Sequence, residues 1–492
     1  MRNWFCRKRW LLLVVLFMPT LAVADRVRIE LHLMPPHLDP TLTPSATVSE
    51  ATYNNIYQGL TRINRHGEVK PNLASSWEVS EEGRVYTFTL QPGVRFHNGQ
   101  PFNAEVAAFS LERLLDPATQ NPQRHLFAHI QEIQVVSLLR LQIRLQRPDN
   151  LLLFRLGLAA AVMVEPESAD NNSRHPIGTG PYEFVSWLEG QPLELAAFQN
   201  YWGAQPRIQR ASISFTSNRI ELEASLSEGA IDLYPNISPL ESVVRLASRG
   251  DYVLYDGLSE GQTLLAFNHQ HPALVDRRVR RAINHAVDKK GLLDIYPKSN
   301  PPLIGSHFSP LHPAYLDLSD RYPYDPGKAK KLLAEAGYAS GLELTFKVPP
   351  PLYARQASLH LSAYLEAVGI RLDVQRVSWS KWLDEVFYGK NYDLTVVAHV
   401  EPFDIDIYAR DDYYFNYHNP GFDQLWKQIE QEQDEAKRNH LLQQTQLLLA
   451  EDAAHVFLHI KPQQSIRKKN LKGFWENSPV PAVILEELYW EN

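Results

Sequence analysis

The chain has 492 residues, of which 44% are apolar and 21% charged, and its formal net charge is −7 at neutral pH. This length exceeds what one hydrophobic core usually supports, so two or three domains are expected, and the ordinary composition excludes a largely disordered chain. The acidic balance argues against a nucleic-acid-binding protein, because such proteins carry basic surfaces.

Residues 1–24 are predicted to be a secretory signal peptide rather than part of the fold. Four basic residues precede the apolar run Leu11–Phe17, and Ala22-Val23-Ala24 forms an A-x-A cleavage site. The run is too short to span a bilayer, and no later stretch is a candidate span. Cleavage after Ala24 would also remove Cys6, the only cysteine, so we expect a periplasmic protein that has no disulfides and does not span the membrane.

The first half of the remaining chain predicts strands mixed with helices. Val27–Leu33 alternates as a strand does, and the polar loop Thr41–Thr47 leads into a predicted helix that carries the apolar residues of 53–60 on one face. Val85–Leu90 alternates again, and a helix is predicted over 102–115. Alternation of both element types indicates an α/β or α+β architecture with mixed sheets.

The second half continues this pattern with clearer helix boundaries. Apolar residues of 279–287 recur at helical spacing and leave Arg280, Arg281 and Asn284 on other faces, as in an amphipathic helix. The pair Asp325-Pro326 can cap and begin a helix that Gly337 ends. The longest helical pattern is 424–449, which predicts a single helix with a charged, solvated face.

The stretch 393–417 combines a buried strand with acidic and aromatic residues. Leu394–Val397 is a short β-branched run that predicts the strand. The residues after it are Glu401, Asp404, Asp406, Tyr408, Tyr413, Tyr414, Phe415 and Tyr417. Carboxylates and rings at the end of a buried strand predict a pocket for a cation or for the amino group of a ligand. A solvated acidic loop beside core aromatics is the alternative interpretation.

Several short motifs occur in a fixed order along most of the chain. They are Asn72-Leu73-Ala74 with Ser76-Trp77, Asn98-Gly99 with Pro101-Phe102, Gly178-Thr179-Gly180-Pro181-Tyr182 with Asn200-Tyr201-Trp202, Arg281-Ala282-Ile283-Asn284 with Ala286-Val287-Asp288, and Tyr324-Asp325-Pro326 with Gly337-Tyr338. In these motifs the chain resembles the family 5 extracellular solute-binding proteins, which are the periplasmic peptide- and nickel-binding components of ABC importers.

The resemblance implies a periplasmic binding protein type II-like fold with two main lobes, an extra subdomain and a hinge between the lobes. Lobe I would comprise 25–55, 180–262 and 461–492, the extra subdomain (domain II) 56–179, and lobe II (domain III) 263–460. The hinge crossings are expected near Gly261–Leu265 and Ile460–Pro462, where apolar strands run between segments assigned to different lobes.

The resemblance also implies a ligand site between the lobes. In peptide-binding relatives the segment matching Val397–Glu401 pairs with the ligand backbone, and the family's aspartate for the ligand amino group falls on Glu401. A tryptophan that often precedes it falls on Ala398, which removes an aromatic wall, while Asp404 is a second possible anchor. The predicted ligand-binding residues are Ser45, Ala46, Thr47, Val397, Ala398, His399, Glu401, Asp404 and Tyr408.

The expected function is capture of a small amino-bearing ligand, a short peptide or peptide-like compound, for delivery to an inner-membrane ABC permease. We expect a monomer with no cofactor, no metal ligands and no catalysis. Within binding proteins, the alternative is a carrier of nickel or another chelated metal, for which His399 and His418 are the candidates.

An enzyme is the alternative from another class. The pattern G-x-S-x-G occurs around Ser259, but extended rather than helical sequence follows it, and a nucleophile elbow requires a helix there. A glycosidase built on Glu401 and Asp404 would need a partner carboxylate at a defined separation, which the sequence does not specify. Binding is therefore favoured over hydrolysis.

Overall fold

The structure is a computed structural model that describes residues 25–43, 45–119, 121–236, 241–296, 299–400 and 403–491. The predicted signal peptide 1–24 and the predicted anchor Glu401 lie outside the described residues. Among the described helices, none combines the length and the apolar character that crossing a membrane requires.

The described residues form twenty strands and thirteen α-helices. The strands are β1 (Arg26–Leu31), β2 (Thr61–Ile63), β3 (Val69–Pro71), β4 (Ala74–Ser80), β5 (Val85–Leu90), β6 (Ile130–Ser137), β7 (Arg140–Leu145), β8 (Tyr182–Ser186), β9 (Leu193–Ala197), β10 (Arg210–Phe215), β11 (Leu233–Tyr234), β12 (Tyr252–Gly257), β13 (Gln262–Phe267), β14 (Leu342–Val348), β15 (Ile370–Arg376), β16 (Leu394–His399), β17 (Val456–Ile460), β18 (Gln463–Lys468), β19 (Leu471–Lys472) and β20 (Tyr489–Trp490).

The helices are α1 (Ala46–Thr52), α2 (Ala104–Leu115), α3 (Leu152–Arg155), α4 (Arg219–Ser227), α5 (Glu241–Ala247), α6 (Pro272–Val275), α7 (Arg277–Ala286), α8 (Lys289–Leu292), α9 (Pro326–Glu335), α10 (Leu352–Glu366), α11 (Trp379–Trp382), α12 (Pro420–Gln431) and α13 (Glu435–Glu451). Two further short helices adjoin the site: a π-helix at Leu383–Tyr388 and a 3₁₀-helix at Asp404–Ala409.

The largest sheet has seven strands in the order β12-β18-β11-β1-β10-β9-β8. The strand β1 is parallel to both of its neighbours, whereas β9 and β18 pair antiparallel, so the sheet is mixed. Alternate residues of β1, namely Val27, Ile29 and Leu31, are buried in the core of this lobe, as the period of a strand requires. All seven strands lie within the three segments predicted for lobe I, and we use that name for this part.

The segment predicted as the extra subdomain carries its own four-stranded antiparallel sheet, β4-β5-β7-β6. Helix α2 packs on it, beginning at Asn103, whose side chain accepts a hydrogen bond from the backbone N–H of Val106. Phe88, Leu111 and Ile143 are buried in the core of this unit. The subdomain therefore has an independent hydrophobic core.

The other main sheet has five strands in the order β15-β14-β16-β13-β17 and belongs to lobe II. Every residue of β13 is buried, because one face packs on α7, α9 and α10 and the other on a cluster of aromatic residues. Strand β14 runs parallel to β15 and β16, and β13 runs antiparallel to β16 and β17. The exact domain boundaries stay a prediction.

The chain passes between the two main sheets at 258–261 and 461–462, beside the predicted crossings. The backbone N–H of Lys461 donates to Gly261 O at 2.7 Å, and the Ser259 hydroxyl donates to Lys461 O at 3.1 Å. These bonds join the crossings side by side. A Cβ at Gly257 would lie 1.7 Å from Glu476 O, so a close backbone approach explains this glycine of the G-x-S-x-G pattern.

Three local predictions were wrong. The helix expected over 53–60 is instead α1, which ends at Thr52; Asn54 has a positive φ of 53°, and the apolar residues beyond it are buried in turns. The single helix expected over 424–449 is two helices, because the chain breaks at 432–434 and Asp434 caps α13. Arg280 and Asn284 are buried rather than solvent-facing.

Candidate ligand-binding site

A cavity of about 460 Å³ lies where lobe I, the subdomain and lobe II meet, and we call it the inner cavity. Its lining residues are Pro40, Thr43, Ala46, Ser49, Tyr53, Val480 and Pro481 of lobe I, Pro122, Gln123, His125, Leu126, Leu151, Phe154, Arg155, Leu158 and Ala159 of the subdomain, and Phe387, Tyr388, Val400, Phe403, Asp404, Asp406, Ile407, Arg410 and Tyr413 of lobe II. Its volume and largely apolar wall suit a small-molecule site.

The lobe I loop predicted to face the ligand contributes part of this wall. Ala46 lines the inner cavity together with Thr43 and Ser49. The hydroxyls of Ser45 and Thr47 are 2.9 Å apart and hydrogen-bond to each other, and neither residue belongs to the cavity lining. Of the three residues predicted here, the structure brings Ala46 to the cavity.

Strand β16, which ends one residue before the cavity-lining Val400, has a partly unpaired edge. Its pairing with β14 covers only Leu394 and Thr395, so the residues that follow face no strand of the described chain on that side. There the backbone N–H of Ala398 donates to the hydroxyl of Tyr353 at 2.9 Å. The side chain of Val397 is buried in the core, whereas the next residue after the strand, Val400, lines the cavity. An open strand edge is a template for pairing with an extended ligand backbone.

Asp404 lines the inner cavity, but both of its carboxylate oxygens are engaged by histidines. Its Oδ1 lies 2.7 Å from Nε2 of His307, and its Oδ2 lies 3.2 Å from Nδ1 of His399. Burial opposes ionisation of this carboxyl, but the interactions with His307 and His399 outweigh it and hold the pKa of Asp404 well below its usual range. Asp404 is therefore an ionised group whose first partners are protein side chains.

Two tyrosines complete this network. Tyr408 OH lies 3.1 Å from Nδ1 of His307, and Tyr414 OH lies 2.9 Å from Nε2 of His399. An ionised carboxylate only accepts hydrogen bonds, so the ring nitrogens facing Asp404 carry hydrogens, and the opposite ring nitrogens hydrogen-bond to the tyrosine hydroxyls. Tyr408 is 1% exposed and does not line the cavity. Through these hydrogen bonds Tyr408 and His399 attach the 3₁₀-helix that follows β16 to His307 and to β16, and their predicted contact with a ligand stays a prediction.

Three titratable groups with shifted pKa values lie at or beside the crossings between the lobes, namely Glu260, Lys461 and Glu50 of α1. Burial raises the pKa of Glu260 to about 8, and the negative charge of Asp404 adds to the effect. Burial raises the pKa of Glu50 to about 7, against the opposing effects of Lys461 and of Asn236, which donates to its carboxyl at 2.5 Å. Burial in turn lowers the pKa of Lys461. The protonation of these groups depends on how closely the lobes surround them.

Two arginines from different domains line the inner cavity. Arg155 of the subdomain donates to Asp149 at 2.6 Å, and Arg410 of lobe II donates to Asp406 at 2.5 Å. His125 lies close to them: burial lowers its pKa first, and the charge of Arg410 lowers it further. The sequence analysis missed these basic residues, because no local pattern distinguishes them from surface charges and only the fold brings them together.

Comparison with known proteins identifies the family. Residues 68–421 match the model described as "Bacterial extracellular solute-binding proteins, family 5 Middle". The chain belongs to this family. The predicted family resemblance is thereby confirmed, and the family is one of transport binding proteins rather than enzymes.

Individual relatives of this family 5 chain are similar to it over most of its length. Heme-binding protein A of Haemophilus influenzae is 30% identical over 388 residues, which cover 70% of this chain and 68% of the relative. Glutathione-binding protein GsiB of Escherichia coli O157:H7 is 26% identical over 476 residues, covering 89% of each chain.

Solved structures confirm the predicted fold class, a type II-like periplasmic binding protein with mixed sheets. DppA of Helicobacter pylori in complex with the peptide STSA has a TM-score of 0.82 at 23% identity, covering 95% of this chain and 98% of that chain. HbpA2 of Haemophilus parasuis has a TM-score of 0.83 at 22% identity, covering 95% and 100%.

The site residues of the alternative functions are placed as follows. His399 is bound to Asp404 and Tyr414, and His418 is half exposed beside Asp411, with 3.3 Å between Nδ1 and Oδ1. The described part of the chain has no group of three or more histidine, cysteine, aspartate or glutamate residues that could hold a metal ion. Ser259 lies on a crossing segment that leads into β13, so it lacks the helix of a nucleophile elbow.

Phe403 is a further cavity residue that sequence reasoning missed. Its backbone is left-handed, with a φ of 60°, which is an unusual conformation for a bulky residue. Its ring lies 4.7 Å from that of Phe154 of the subdomain and 4.3 Å from that of His312 of lobe II, measured between centroids. The strained backbone directs an aromatic ring into the contact between two domains, a placement typical of functional sites.

Proposed function

We propose that this family 5 protein captures a small amino-bearing ligand, a short peptide or peptide-like compound, and delivers it to an inner-membrane ABC permease without chemical change. The observation that carries this proposal is the inner cavity beside the open edge of β16. Such an edge binds a peptide backbone through main-chain hydrogen bonds, which give affinity without reading side chains. The peptide and glutathione ligands in the names of its relatives support the same class.

In the proposed complex the ligand backbone pairs with β16 around Val397 to His399, facing the loop of Ser45, Ala46 and Thr47. Glu401 follows Val400, which lines the cavity, and it is the proposed partner of the ligand ammonium. Asp404 contributes negative potential there, although its oxygens are engaged by histidines. The arginine N–H groups at the other wall suit carbonyl or carboxylate oxygens.

The proposed location is the periplasm, which the protein would reach by a signal peptide cleaved after Ala24. There it would act as a monomer, with closure of the lobes around the ligand through the two crossings. The extracellular character of the family supports export. N-terminal sequencing of protein purified from the periplasm should begin at Asp25, and size-exclusion chromatography with light scattering should give one chain per particle.

A thermal-shift screen of that purified protein tests the ligand class. The probes are the tripeptide Ala-Ser-Ala, glutathione, haem, and nickel with and without free histidine. A ligand at about 100 times its dissociation constant stabilises the fold by about 2.7 kcal/mol, so we expect a raised melting temperature with the tripeptide or glutathione. A shift with haem alone, or with nickel-histidine alone, would overturn the proposed ligand class in favour of the corresponding carrier.

A further inference from the structure

A second cavity of about 850 Å³ adjoins the first, between the subdomain and lobe II, and we call it the outer cavity. Arg147 of the subdomain and Trp426 and Lys427 of α12 form its far walls. The two cavities share eight lining residues, and Arg155 and Arg410 are among these.

The arginines at this junction have hydrogen-bonding capacity to spare. Nη1 of Arg155 donates to Asp149 and to the Leu126 carbonyl, and Nε and Nη2 of Arg410 donate to Asp406. Within the described residues, Nη2 of Arg155 and Nη1 of Arg410 make no hydrogen bond. A guanidinium has five N–H donors in a fixed fork, so the remaining ones can hold carbonyl oxygens of a chain that passes between them.

Tyr388 marks the same junction. It ends the π-helix, lines both cavities, and is 72% exposed. π-helical turns occur frequently at functional sites, and a large exposed ring on a cavity wall offers contact area to a bound ligand.

The walls of the outer cavity are fixed to each other independently of lobe I. Arg147 donates to Glu430 of α12 at 3.0 Å, and Asn150 donates to the carbonyls of Ile429 and Glu432, the latter at 2.9 Å. These contacts join the subdomain to the end of α12. When the space between two joined domains is already formed, ligand binding orders fewer protein groups. The free-energy cost of binding is therefore lower than for a site that the ligand must assemble.

We propose that the outer cavity is a second part of the ligand site, in which the subdomain holds the continuation of an extended peptide that leaves the inner cavity between Arg155 and Arg410. The inner cavity has the volume of about 15 water molecules at about 30 Å³ each, so it encloses a short peptide but not a long extended one. The protein therefore selects peptides that are longer than the inner cavity holds. This rests on the proposed function and extends it by naming the length class of the ligand.

The test uses the tripeptide Ala-Ser-Ala and the hexapeptide Ala-Ser-Ala-Ser-Ala-Ser in isothermal titration calorimetry. Lys427→Trp fills the outer cavity from an exposed position on α12, and Lys437→Trp places the same ring at an exposed position on α13 that lines a separate cavity. We expect the wild type to bind the hexapeptide at least about tenfold more tightly than the tripeptide. Lys427→Trp should remove that advantage and leave tripeptide affinity within about twofold, while Lys437→Trp changes neither.

Two results would overturn the inference in distinguishable ways. If the wild type binds both peptides but Lys427→Trp affects them equally, the outer cavity holds only solvent and the proposed function stands. If neither peptide binds the wild type, the proposed peptide class fails and this length selection fails with it.

Discussion

Asp404 and Glu260 are buried carboxyl groups that interact electrostatically, yet their pKa values are shifted in opposite directions. Burial penalises the charged form of both. At Asp404 the hydrogen bonds and charge interactions with His307 and His399 outweigh this penalty, so the pKa of Asp404 lies below its usual range. The Glu260 carboxyl makes no hydrogen bond to the described residues, and its pKa rises to about 8. Hydrogen-bond partners, rather than depth, decide which of the two is ionised.

The difference separates two regions with different roles. The cluster behind β16 is complete without a ligand, because its carboxylate, imidazoles and phenols satisfy one another. The crossing segments hold Glu260 and Lys461, and Glu50 of α1 interacts with Lys461; burial is the largest cause of the pKa shift of each of the three. We infer that the first region is a rigid support for the site, whereas the second responds electrostatically when the lobes move.

The largest expected effect is on stability, and it comes from removing the carboxylate of Asp404 from the cluster behind β16. Asp404→Ala leaves two buried histidines without their shared acceptor, so we expect the free energy of unfolding to fall by about 3–5 kcal/mol. Because the folded pKa of Asp404 is lowered, its contribution is fully present above the ordinary value of 3.8 and is lost as pH falls below it. Urea unfolding at neutral pH and near pH 3 measures both effects.

Asp406→Ala is the matched control, since it removes a carboxylate of the same 3₁₀-helix. Its partner Arg410 keeps part of its guanidinium exposed, so the ion pair is screened and the loss should be about 1 kcal/mol or less. Equal losses in the two variants would contradict a special role for the histidine network.

A smaller effect of opposite sign is expected at Glu260. Its folded pKa of about 8 lies above the ordinary 4.5, so its contribution to stability is fully present below pH 4.5 and is lost as pH rises towards 8. Glu260→Gln keeps the shape without the charge and should raise the free energy of unfolding by about 1–3 kcal/mol above pH 8, with little change near pH 4.5. Urea unfolding across this range measures the difference, and a variant that is less stable at pH 8.5 would show that Glu260 has an unrecognised cationic partner.

Much of the fold could be predicted, because apolar periodicity and capping residues are local signals. Asp325 caps α9 as expected, accepting from the backbone N–H of Lys328 at 2.8 Å, and Gly337 after the helix has a φ of 94°. The errors arose where tertiary contacts override local pattern. Arg280 appears solvent-facing by charge, yet it is buried because it donates to carbonyls at the end of α13 and before α7.

Less of the candidate site could be predicted. Ala46 and Asp404 do line the inner cavity, but nothing in the sequence links Asp404 to His307, which is 97 positions away. Arg155 and Phe154 come from a subdomain to which the resemblance assigned no ligand residues. Contacts between segments far apart in sequence leave no local pattern, so the partners that determine each charge emerge only from the folded chain.

The smallest expected effect on stability concerns an uncharged buried group, the hydroxyl of Thr263, and extends the comparison between groups with and without hydrogen-bond partners. Thr263 is fully buried in β13 and its hydroxyl has no hydrogen-bond partner among the described residues. The equally buried Thr395 of β16 donates to Lys347 O at 2.7 Å and accepts from Trp382. Thr263→Val should therefore raise the free energy of unfolding by about 1 kcal/mol, and Thr395→Val should lower it by about 1–3 kcal/mol. Urea midpoints of the two isosteric variants measure the contrast. If Thr263→Val instead lowers the free energy of unfolding, a bound water satisfies the Thr263 hydroxyl. Thr263 would then resemble Asp404, whose hydrogen bonds are made, rather than Glu260.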